Sequence, residues 1–300
     1  MELTEEIKRL CQKKKAIILV HNYQPGEIQD IADFVGDSLE LSRKAAETKA
    51  EIIIFCGVRF MAETAKILSP DRTVLLPDPE ANCPLADMIT SEGLKSLKAE
   101  HPDALVVSYV NTSAEVKAES DYCCTSANGI KVIDSLPTDR KIIFTPDSNL
   151  GRYLIEKTGK DLILWDGYCY VHHQRITLEG VRRAKSLHPE AKILVHPECL
   201  MEVIESADAV LSTKGMCEYV KREVADEFII GTELGIIHRL SKENPTKRFY
   251  PVSEEAICES MKLTTLEKLE RSLREEIHKI ELDPQIVAQA RSAIERMLAI

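Results

Sequence analysis

Residues 16–23 read AIILVHNY, residues 104–111 read ALVVSYVN and residues 191–198 read AKILVHPE. Each segment is an apolar run that ends in polar residues, and the three begin 88 and 87 residues apart. Repetition at a fixed period indicates one supersecondary unit that occurs several times in the chain. The sequence therefore predicts three similar units, and packing around a common centre would relate them by an approximate threefold axis.

One cysteine follows the last strand-like run of each unit. Cys83, Cys169 and Cys258 lie 86 and 89 residues apart, so they occupy equivalent positions in the repeat. A threefold arrangement would bring their thiols to one point, and soft thiolate ligands select zinc or iron–sulfur clusters. Three ligands leave one coordination position open, which favours Lewis-acid work over electron transfer. The spacing alone leaves a catalytic zinc and a cluster with one open iron as alternatives.

Short apolar runs alternate with helical patterns along the chain. Runs such as IIIF, KIIFTP and EFIIG are typical of parallel strands that helices cover on both faces. We therefore predict an α/β fold of three αβα sandwich units with short parallel sheets and an active site at the central axis. The predicted units are residues 1–88, 89–173 and 174–262, and helices within residues 263–300 are expected to pack on the first unit.

Two details of the first unit are also predicted. Thr4 is the expected N-cap of the first helix, because threonine is a favourable N-cap residue and acids follow it. Residues 38–48 are interpreted as a helix that the other two units lack.

Polar side chains occupy matching positions at the ends of the repeated strands. They are His21, Tyr23, Tyr109, Asn111, His196 and Glu198. Open α/β sheets bind ligands at the carboxyl ends of their strands, so these side chains are candidates for one shared pocket. An imidazole, a phenol and a carboxylate beside an open metal can transfer protons. His172, three residues after Cys169, is a further candidate.

Hydroxyl side chains that precede helical segments form a second set. They are Ser38, Ser126, Ser212 and Thr213. Each alone is typical of a helix N-cap, and together they predict a cavity where helix N-termini bind phosphate or carboxylate groups. Asp33, Asp121 and Asp208 lie five residues before the hydroxyls of their units, and we interpret these aspartates as structural, in turns.

The composition argues against several classes of protein. A net charge of −10 provides no basic footprint for nucleic acid or for an acidic membrane. The N-terminal segment is acidic and lacks the apolar core of a signal peptide, and no run reaches the roughly 18 apolar residues of a membrane span. Nine cysteines in a reducing compartment indicate ligands and core residues rather than disulfides. We therefore expect a cytoplasmic enzyme that acts on small molecules.

The ordered motifs resemble one known family. HNYQ, DIADFVGDS, NCP, YVNTSAE, CTSAN, PDSNLG, GYCYVHH, HPEC, GTE and CESMK are similar to those of the quinolinate synthetase A family of NAD biosynthesis, over residues 15–262. The resemblance implies three αβα units around a pseudo-threefold axis and a 4Fe–4S cluster held by three cysteines. It also implies an enzyme of the transferase or dehydratase type, which condenses iminoaspartate with dihydroxyacetone phosphate to quinolinate, with loss of phosphate and two waters.

The resemblance assigns roles motif by motif. The implied cluster ligands are Cys83, Cys169 and Cys258, with one iron left open as a Lewis acid. The implied catalytic residues are Tyr23, Glu198, His21, His172 and His196, with Tyr23 assisting isomerisation and dehydration and Glu198 shuttling protons. The implied substrate-binding residues are His21, Ser38, Tyr109, Asn111, Ser126, His196, Glu198, Ser212 and Thr213. Transient supply of iminoaspartate by an aspartate oxidase or dehydrogenase is also implied.

Two departures and three alternatives complete the interpretation. Lys214 in STKGM stands where the family usually has a small or polar residue, and the chain lacks the C-terminal CxxCxxC of some members. The alternatives are a catalytic zinc enzyme, a different open-iron enzyme such as the isoprenoid reductase or diphthamide type, and an iron–sulfur sensor. The motifs HNYQ and HPEC do not match the second, and the third would need a partner-binding surface that the sequence does not indicate.

Overall fold

Three sheets of four parallel strands form the frame of the protein in the computed structural model, which describes residues 2–300. The first sheet contains β1 (Ala16–His21), β2 (Phe34–Gly36), β3 (Ile52–Cys56) and β4 (Thr73–Leu75). The second contains β5 (Leu105–Tyr109), β6 (Tyr122–Cys124), β7 (Ile142–Thr145) and β8 (Leu162–Leu164). The third contains β9 (Lys192–Val195), β10 (Ala209–Val210), β11 (Glu227–Gly231) and β12 (Arg248–Pro251). The strand order β2-β1-β3-β4 recurs in all three, so the predicted α/β fold of three similar units is confirmed.

Each unit also contributes four helices in the same chain order. The first has α1 (Leu3–Lys14), α2 (Gly26–Asp30), α3 (Ser38–Glu47) and α4 (Arg59–Leu68). The second has α5 (Ser91–Glu100), α6 (Ala114–Ala118), α7 (Gly129–Ser135) and α8 (Ser148–Thr158). The third has α9 (Leu178–Leu187), α10 (Met201–Glu205), α11 (Thr213–Arg222) and α12 (Ile236–Glu243). The expectation of an extra helix in the first unit is wrong, because α7 and α11 are the counterparts of α3.

One aspartate per unit fixes the edge of the sheet. The Oδ2 atom of Asp33 accepts a hydrogen bond from Ile18 N–H at 2.8 Å, and Asp33 N–H donates to Ile18 O at 3.1 Å. Asp121 makes the same pair of bonds with β5 at 2.8 and 3.0 Å, and Asp208 with β9 at 2.7 and 2.9 Å. Each aspartate thus links its first strand to the start of the second, and the structural interpretation of the three aspartates is confirmed.

The central strands are buried because helices cover both faces of each sheet. Every residue of β3, β5 and β7 is buried, which explains why these strands are mostly apolar and do not alternate between apolar and polar residues. Leu19, Val107 and Val195, one from the first strand of each sheet, belong to a single continuous core. Full burial of such a side chain contributes roughly 1.5–3 kcal/mol, so this shared core holds the three units together.

The C-terminal segment contains α13 (Leu266–Glu275) and α14 (Pro284–Leu298). Both helices were expected to pack on the first unit. Helix α13 lies against α1 of that unit. Helix α14 instead lies mainly against α6 and β6 of the second unit and only secondarily against α4. The apolar face of α14, with Ala290, Ala293 and Ile294, is buried there. The unit boundaries at residues 88, 173 and 262 remain a prediction.

The first helix begins earlier than predicted. Glu2 is its N-cap, with an extended backbone, so Thr4 already lies inside the first turn and is not the cap. Of the helices within residues 2–300, none has both the length and the apolar character needed to cross a membrane.

Candidate active site

A central cavity lies where the carboxyl ends of the three sheets meet. It encloses roughly 660 Å³, including its opening to solvent. Every predicted site residue except Ser212 lines it: His21, Tyr23, Ser38, Cys83, Tyr109, Asn111, Ser126, Cys169, His172, His196, Glu198, Thr213 and Cys258. The repeat therefore brings residues of all three units to one place.

The three predicted cysteine ligands enter this cavity from equivalent loops. Cys83 follows β4, Cys169 follows β8 and Cys258 follows β12. Burial raises the pKa of Cys83 to about 12, and it also raises the pKa values of Cys169 and Cys258. Each is therefore a protonated thiol at neutral pH in the absence of a metal, and metal binding would release protons.

The spacing of the sulfurs bears on the kind of metal group that could bind. Three thiolates around one tetrahedral zinc at about 2.3 Å would lie about 3.8 Å from one another. Within residues 2–300, the group whose ligand atoms all lie within 4.8 Å of one another is Cys169, His172 and Glu198, and it includes neither Cys83 nor Cys258. The three cysteine sulfurs therefore do not all lie as close together as the ligands of one zinc ion, and thiolates are also the ligands of iron–sulfur clusters.

Glu198 is the centre of a buried polar network. The Tyr109 hydroxyl donates to its Oε1 atom, and His172 Nδ1 lies 2.9 Å from its Oε2 atom, although those two atoms are not aligned as a hydrogen bond. Burial alone would raise the pKa of Glu198, but the imidazoles of His172 and His196 and the Tyr109 hydroxyl outweigh it and lower the pKa. Glu198 is therefore a carboxylate that can accept a proton at neutral pH.

Thr232 extends this network to the first unit. Its Oγ1 atom lies 2.5 Å from the Tyr23 hydroxyl and 2.8 Å from His172 Nε2. Burial, followed by the charge of Glu198, raises the pKa of Tyr23 well above its usual value, so the phenol keeps its proton. Tyr109, Glu198, His172, Thr232 and Tyr23 thus form one chain of polar contacts. Sequence reasoning gave Thr232 no role, although it lies in the GTE motif.

Two histidines have a defined tautomer. His21 Nδ1 accepts a hydrogen bond from Tyr23 N–H at 3.2 Å, and His196 Nδ1 accepts one from Glu198 N–H at 3.4 Å. Burial lowers the pKa of each histidine to about 3, so both rings are neutral. Because Nδ1 is the acceptor in both, the ring proton is on Nε2. His196 Nδ1 also lies 3.6 Å from Glu198 Oε1, but an ion pair between these atoms would need a proton on Nδ1, which is the acceptor of the Glu198 N–H bond.

The hydroxyl protons of two residues are left for a ligand. His196 Nε2 lies 3.1 Å from Ser126 Oγ, which therefore accepts the ring proton. Asn22 Nδ2 donates to Thr213 Oγ1 at 2.8 Å, and Arg239 fixes the orientation of Asn22 by donating to its Oδ1 atom at 2.8 Å. Because both hydroxyl oxygens accept bonds from the protein, their own O–H groups can donate into the cavity.

The hydroxyl set differs in detail from the predicted N-caps. Ser38 and Thr213 are the first residues of α3 and α11, and their caps are Asp37 and Ser212. Ser212 accepts a hydrogen bond from Gly215 N–H at 3.1 Å, and it lies outside the cavity lining. Ser126 lies in the turn that precedes α7 and does not cap it. Backbone N–H groups therefore adjoin the cavity at the N-termini of two helices, α3 and α11, and not at the three N-termini that were predicted.

Asp37 and Lys214 complete the polar surroundings. Asp37 lines the cavity, burial raises its pKa to about 6, and its Oδ2 atom has no hydrogen-bond partner among the described residues. Lys214 Nζ lies 3.4 Å from Glu40 Oε1, so this lysine links α11 to α3 and is not part of the cavity lining.

The fold and the cavity together define a three-unit α/β protein with a buried, thiol-bearing polar site at the junction of its units. The family model described as "Quinolinate synthetase A protein" matches residues 5–299. The chain therefore belongs to the quinolinate synthetase A protein family. Similar curated proteins are the quinolinate synthases of Methanoregula boonei (56% identical over 99% of this chain and 98% of that protein), Desulforudis audaxviator (55%, 100% and 98%) and Pyrobaculum aerophilum (50%, 98% and 98%).

Proposed function

We propose that this chain is a quinolinate synthase of NAD biosynthesis, which condenses iminoaspartate with dihydroxyacetone phosphate and releases phosphate and two waters. One observation carries the proposal: three cysteines from equivalent loops and a carboxylate–imidazole–phenol network share one cavity in a member of this family. The source of the iminoaspartate remains a prediction.

The proposed cofactor is a 4Fe–4S cluster held by Cys83, Cys169 and Cys258, with one iron free of protein ligands. When bound, the cluster supplies a Lewis acid that polarises a substrate oxygen. Because the three sulfurs do not all lie within 4.8 Å of one another, we favour a cluster over a single ion. Burial raises the pKa values of the thiols, so each ligand would lose a proton when it binds and cluster assembly would release protons.

The proposed anion subsite uses neutral donors. The Ser126 and Thr213 hydroxyls and the Nε2–H group of His21 can donate to phosphate or carboxylate oxygens. Ser38 and Thr213 also stand at the first positions of α3 and α11, where unpaired backbone N–H groups favour negative charge. Ser212 contributes indirectly, because it caps α11 and thereby positions Thr213.

The proposed proton transfers use Glu198 and Tyr23. Glu198 is ionised and can take a proton from a substrate carbon, as tautomerisation and dehydration both require. Tyr23 keeps its proton and can deliver it to a departing hydroxyl, which then leaves as water. His172 and Thr232 orient the two groups, and Tyr109 and Asn111 line the pocket, where the unpaired Asn111 Oδ1 atom can accept a hydrogen bond from substrate.

A mononuclear metal enzyme is the second candidate. Cys169, His172 and Glu198 have ligand atoms within 4.8 Å of one another, which suits one zinc ion. Metal analysis of anaerobically purified protein separates the two: iron with inorganic sulfide supports the cluster, and one zinc per chain supports the alternative.

The activity test is direct. Protein reconstituted with iron and sulfide under anaerobic conditions is incubated with iminoaspartate and dihydroxyacetone phosphate, and quinolinate is quantified by chromatography. We expect quinolinate from the parent protein and none from Cys169→Ala treated identically. A parent protein with full iron content that forms no quinolinate would overturn the proposal.

A further inference from the structure

The three cysteine loops are attached to their sheets by the same backbone contact. In each unit, an N–H group just after the third strand donates to the carbonyl oxygen two residues before the cysteine. The pairs are Arg59 with Ala81 (2.8 Å), Ser148 with Gly167 (2.8 Å) and Leu234 with Ala256 (3.0 Å). The residues that precede these donors are therefore equivalent in the repeat, and they are Val58, Asp147 and Glu233.

Two of these equivalent positions hold carboxylates that reach the cysteines. Asp147 Oδ2 accepts a hydrogen bond from Cys169 N–H at 3.2 Å, and Glu233 Oε1 accepts one from Cys258 N–H at 3.1 Å. Val58, in the first unit, has no side-chain acceptor to offer Cys83. The repeat thus conserves the loop attachment but provides a carboxylate brace in only two units.

Each carboxylate divides its oxygens between two tasks. The second oxygen of Asp147 accepts from Leu150 N–H at 2.8 Å and caps α8, and the second oxygen of Glu233 accepts from Gly235 N–H at 2.7 Å. Both residues are fully buried. A buried carboxylate is costly unless hydrogen bonds satisfy it, and a neutral serine caps a helix about as well. For Asp147, the second oxygen therefore has a use that capping does not explain. Glu233 Oε1 holds the N–H group of Cys258 and also pairs with Lys262 Nζ at 2.8 Å, so this carboxylate links the Cys258 loop to Lys262.

We propose that Asp147 and Glu233 are positioning residues that hold Cys169 and Cys258 ready for metal binding, whereas the Cys83 loop lacks such a brace. The inference rests on the proposed function, because it takes these cysteines as ligands. Fixing the backbone N–H of a cysteine restricts its loop, so less conformational freedom is lost when the sulfur binds. Two braced loops would present a preformed pair of ligands, and the Cys83 loop would close last.

Three variants test the braces. Asp147→Ser keeps an oxygen for capping α8 but cannot also reach Cys169 N–H. Glu233→Gln has one carbonyl oxygen for two N–H donors and also loses the charge that pairs with Lys262. Asp283→Ser is the control, because Asp283 caps α14 through Gln285 N–H at 2.7 Å and is not among the residues that line the cavity. Should Asp147→Ser fail to fold, Asp147→Asn preserves the side-chain volume and removes one acceptor.

The first readout is amide hydrogen exchange of the metal-free protein, measured on peptides that contain each cysteine. We expect exchange at Cys169 to accelerate about tenfold to hundredfold in Asp147→Ser, and exchange at Cys258 to do so in Glu233→Gln, as loss of one charge-assisted hydrogen bond implies. The parent should exchange fastest at Cys83, and Asp283→Ser should match the parent at all three. Unchanged exchange at the targeted cysteine in both variants would overturn the inference.

The second readout is iron retained after anaerobic reconstitution and gel filtration, which we expect to fall in both brace variants and to stay at the parental level in Asp283→Ser. Faster exchange with parental iron retention would mean that the braces do not serve metal binding, and the inference would fail while the proposed function stands. A parent that retains no iron would instead refute the proposed cofactor, whatever the exchange data show.

Discussion

Removal of the Thr232 hydroxyl is a sharp perturbation of the proton-transfer network. Thr232→Val replaces Oγ1 by a methyl group of similar size, so packing is kept while the contacts to Tyr23 (2.5 Å) and His172 (2.8 Å) are lost. His172 is buried and Tyr23 largely so, which leaves two polar groups without these partners. An unsatisfied buried group costs about 1–3 kcal/mol, so we expect the metal-free variant to lose roughly 2–5 kcal/mol in the free energy of unfolding.

Turnover should fall together with stability. Thr232 holds the Tyr23 phenol and the His172 ring in fixed positions, and a positioned proton donor contributes about 10²–10⁴ to a rate. We therefore expect quinolinate formation at saturating substrate to fall by about two orders of magnitude, with unchanged iron content. Thr232→Ser, which keeps the hydroxyl, is the matched control and should stay within a few-fold of the parent.

The measurements are initial rates of quinolinate formation, iron per chain and urea unfolding of the metal-free protein. Parental turnover in Thr232→Val would refute the reasoning. So would equal losses in Thr232→Val and Thr232→Ser, because the serine variant retains the hydrogen-bonding oxygen and lacks only the methyl group.

Three further predictions concern other parts of the cavity. Tyr23→Phe and Glu198→Gln should each lower turnover by about two to four orders of magnitude with normal iron content, and near-parental rates in both would place the acid–base work elsewhere. Ser126→Ala should weaken sulfate binding, measured by calorimetry, by about ten- to a hundredfold without changing the melting temperature, and unchanged affinity would contradict the donor assignment. The pKa of Asp37 is raised to about 6, so its negative charge appears as pH rises from 5 to 7 and sulfate affinity should fall over that interval. Asp37→Asn should remove this pH dependence and bind sulfate more tightly at pH 7; a parental pH profile in the variant would contradict it.

The repeat made most of the fold predictable. A period of 87 or 88 residues predicts three units without identifying every strand. The runs of four β-branched or aromatic residues in β3 and β7 are readable as buried strands. β2 is hard to predict because it has three residues, one of them glycine, and short edge strands leave little periodicity. The placement of α14 was missed because an amphipathic helix at the end of a chain does not reveal which of three similar units it covers.

Site residues were predictable from the sequence where they occupy equivalent positions in the three repeat units. Cys83, Cys169 and Cys258 share a position in the three units, so symmetry alone brings them to one cavity. Thr232 has no chemical match in the other two units, where Gly57 and Pro146 stand, and repetition therefore gives no signal for it.

Local ambiguity accounts for the remaining differences. In the Asp37-Ser38 pair both residues are good N-caps, and the sequence does not tell which one takes that position. His172 lies in a π-helix over Val171–Arg175, a rare conformation that has no reliable sequence signature.

The iron and sulfide content of anaerobically reconstituted protein tests the central claim most directly, because the account depends on three equivalent thiols that hold one cluster. We expect about four irons per chain in the parent, as a 4Fe–4S cluster requires. Cys83→Ala, Cys169→Ala and Cys258→Ala should each sharply lower the iron content, whereas Cys56→Ala and Cys217→Ala should keep it, since Cys56 lies in the core of β3 and Cys217 in α11, away from the cavity. Parental iron content in Cys169→Ala would contradict the account.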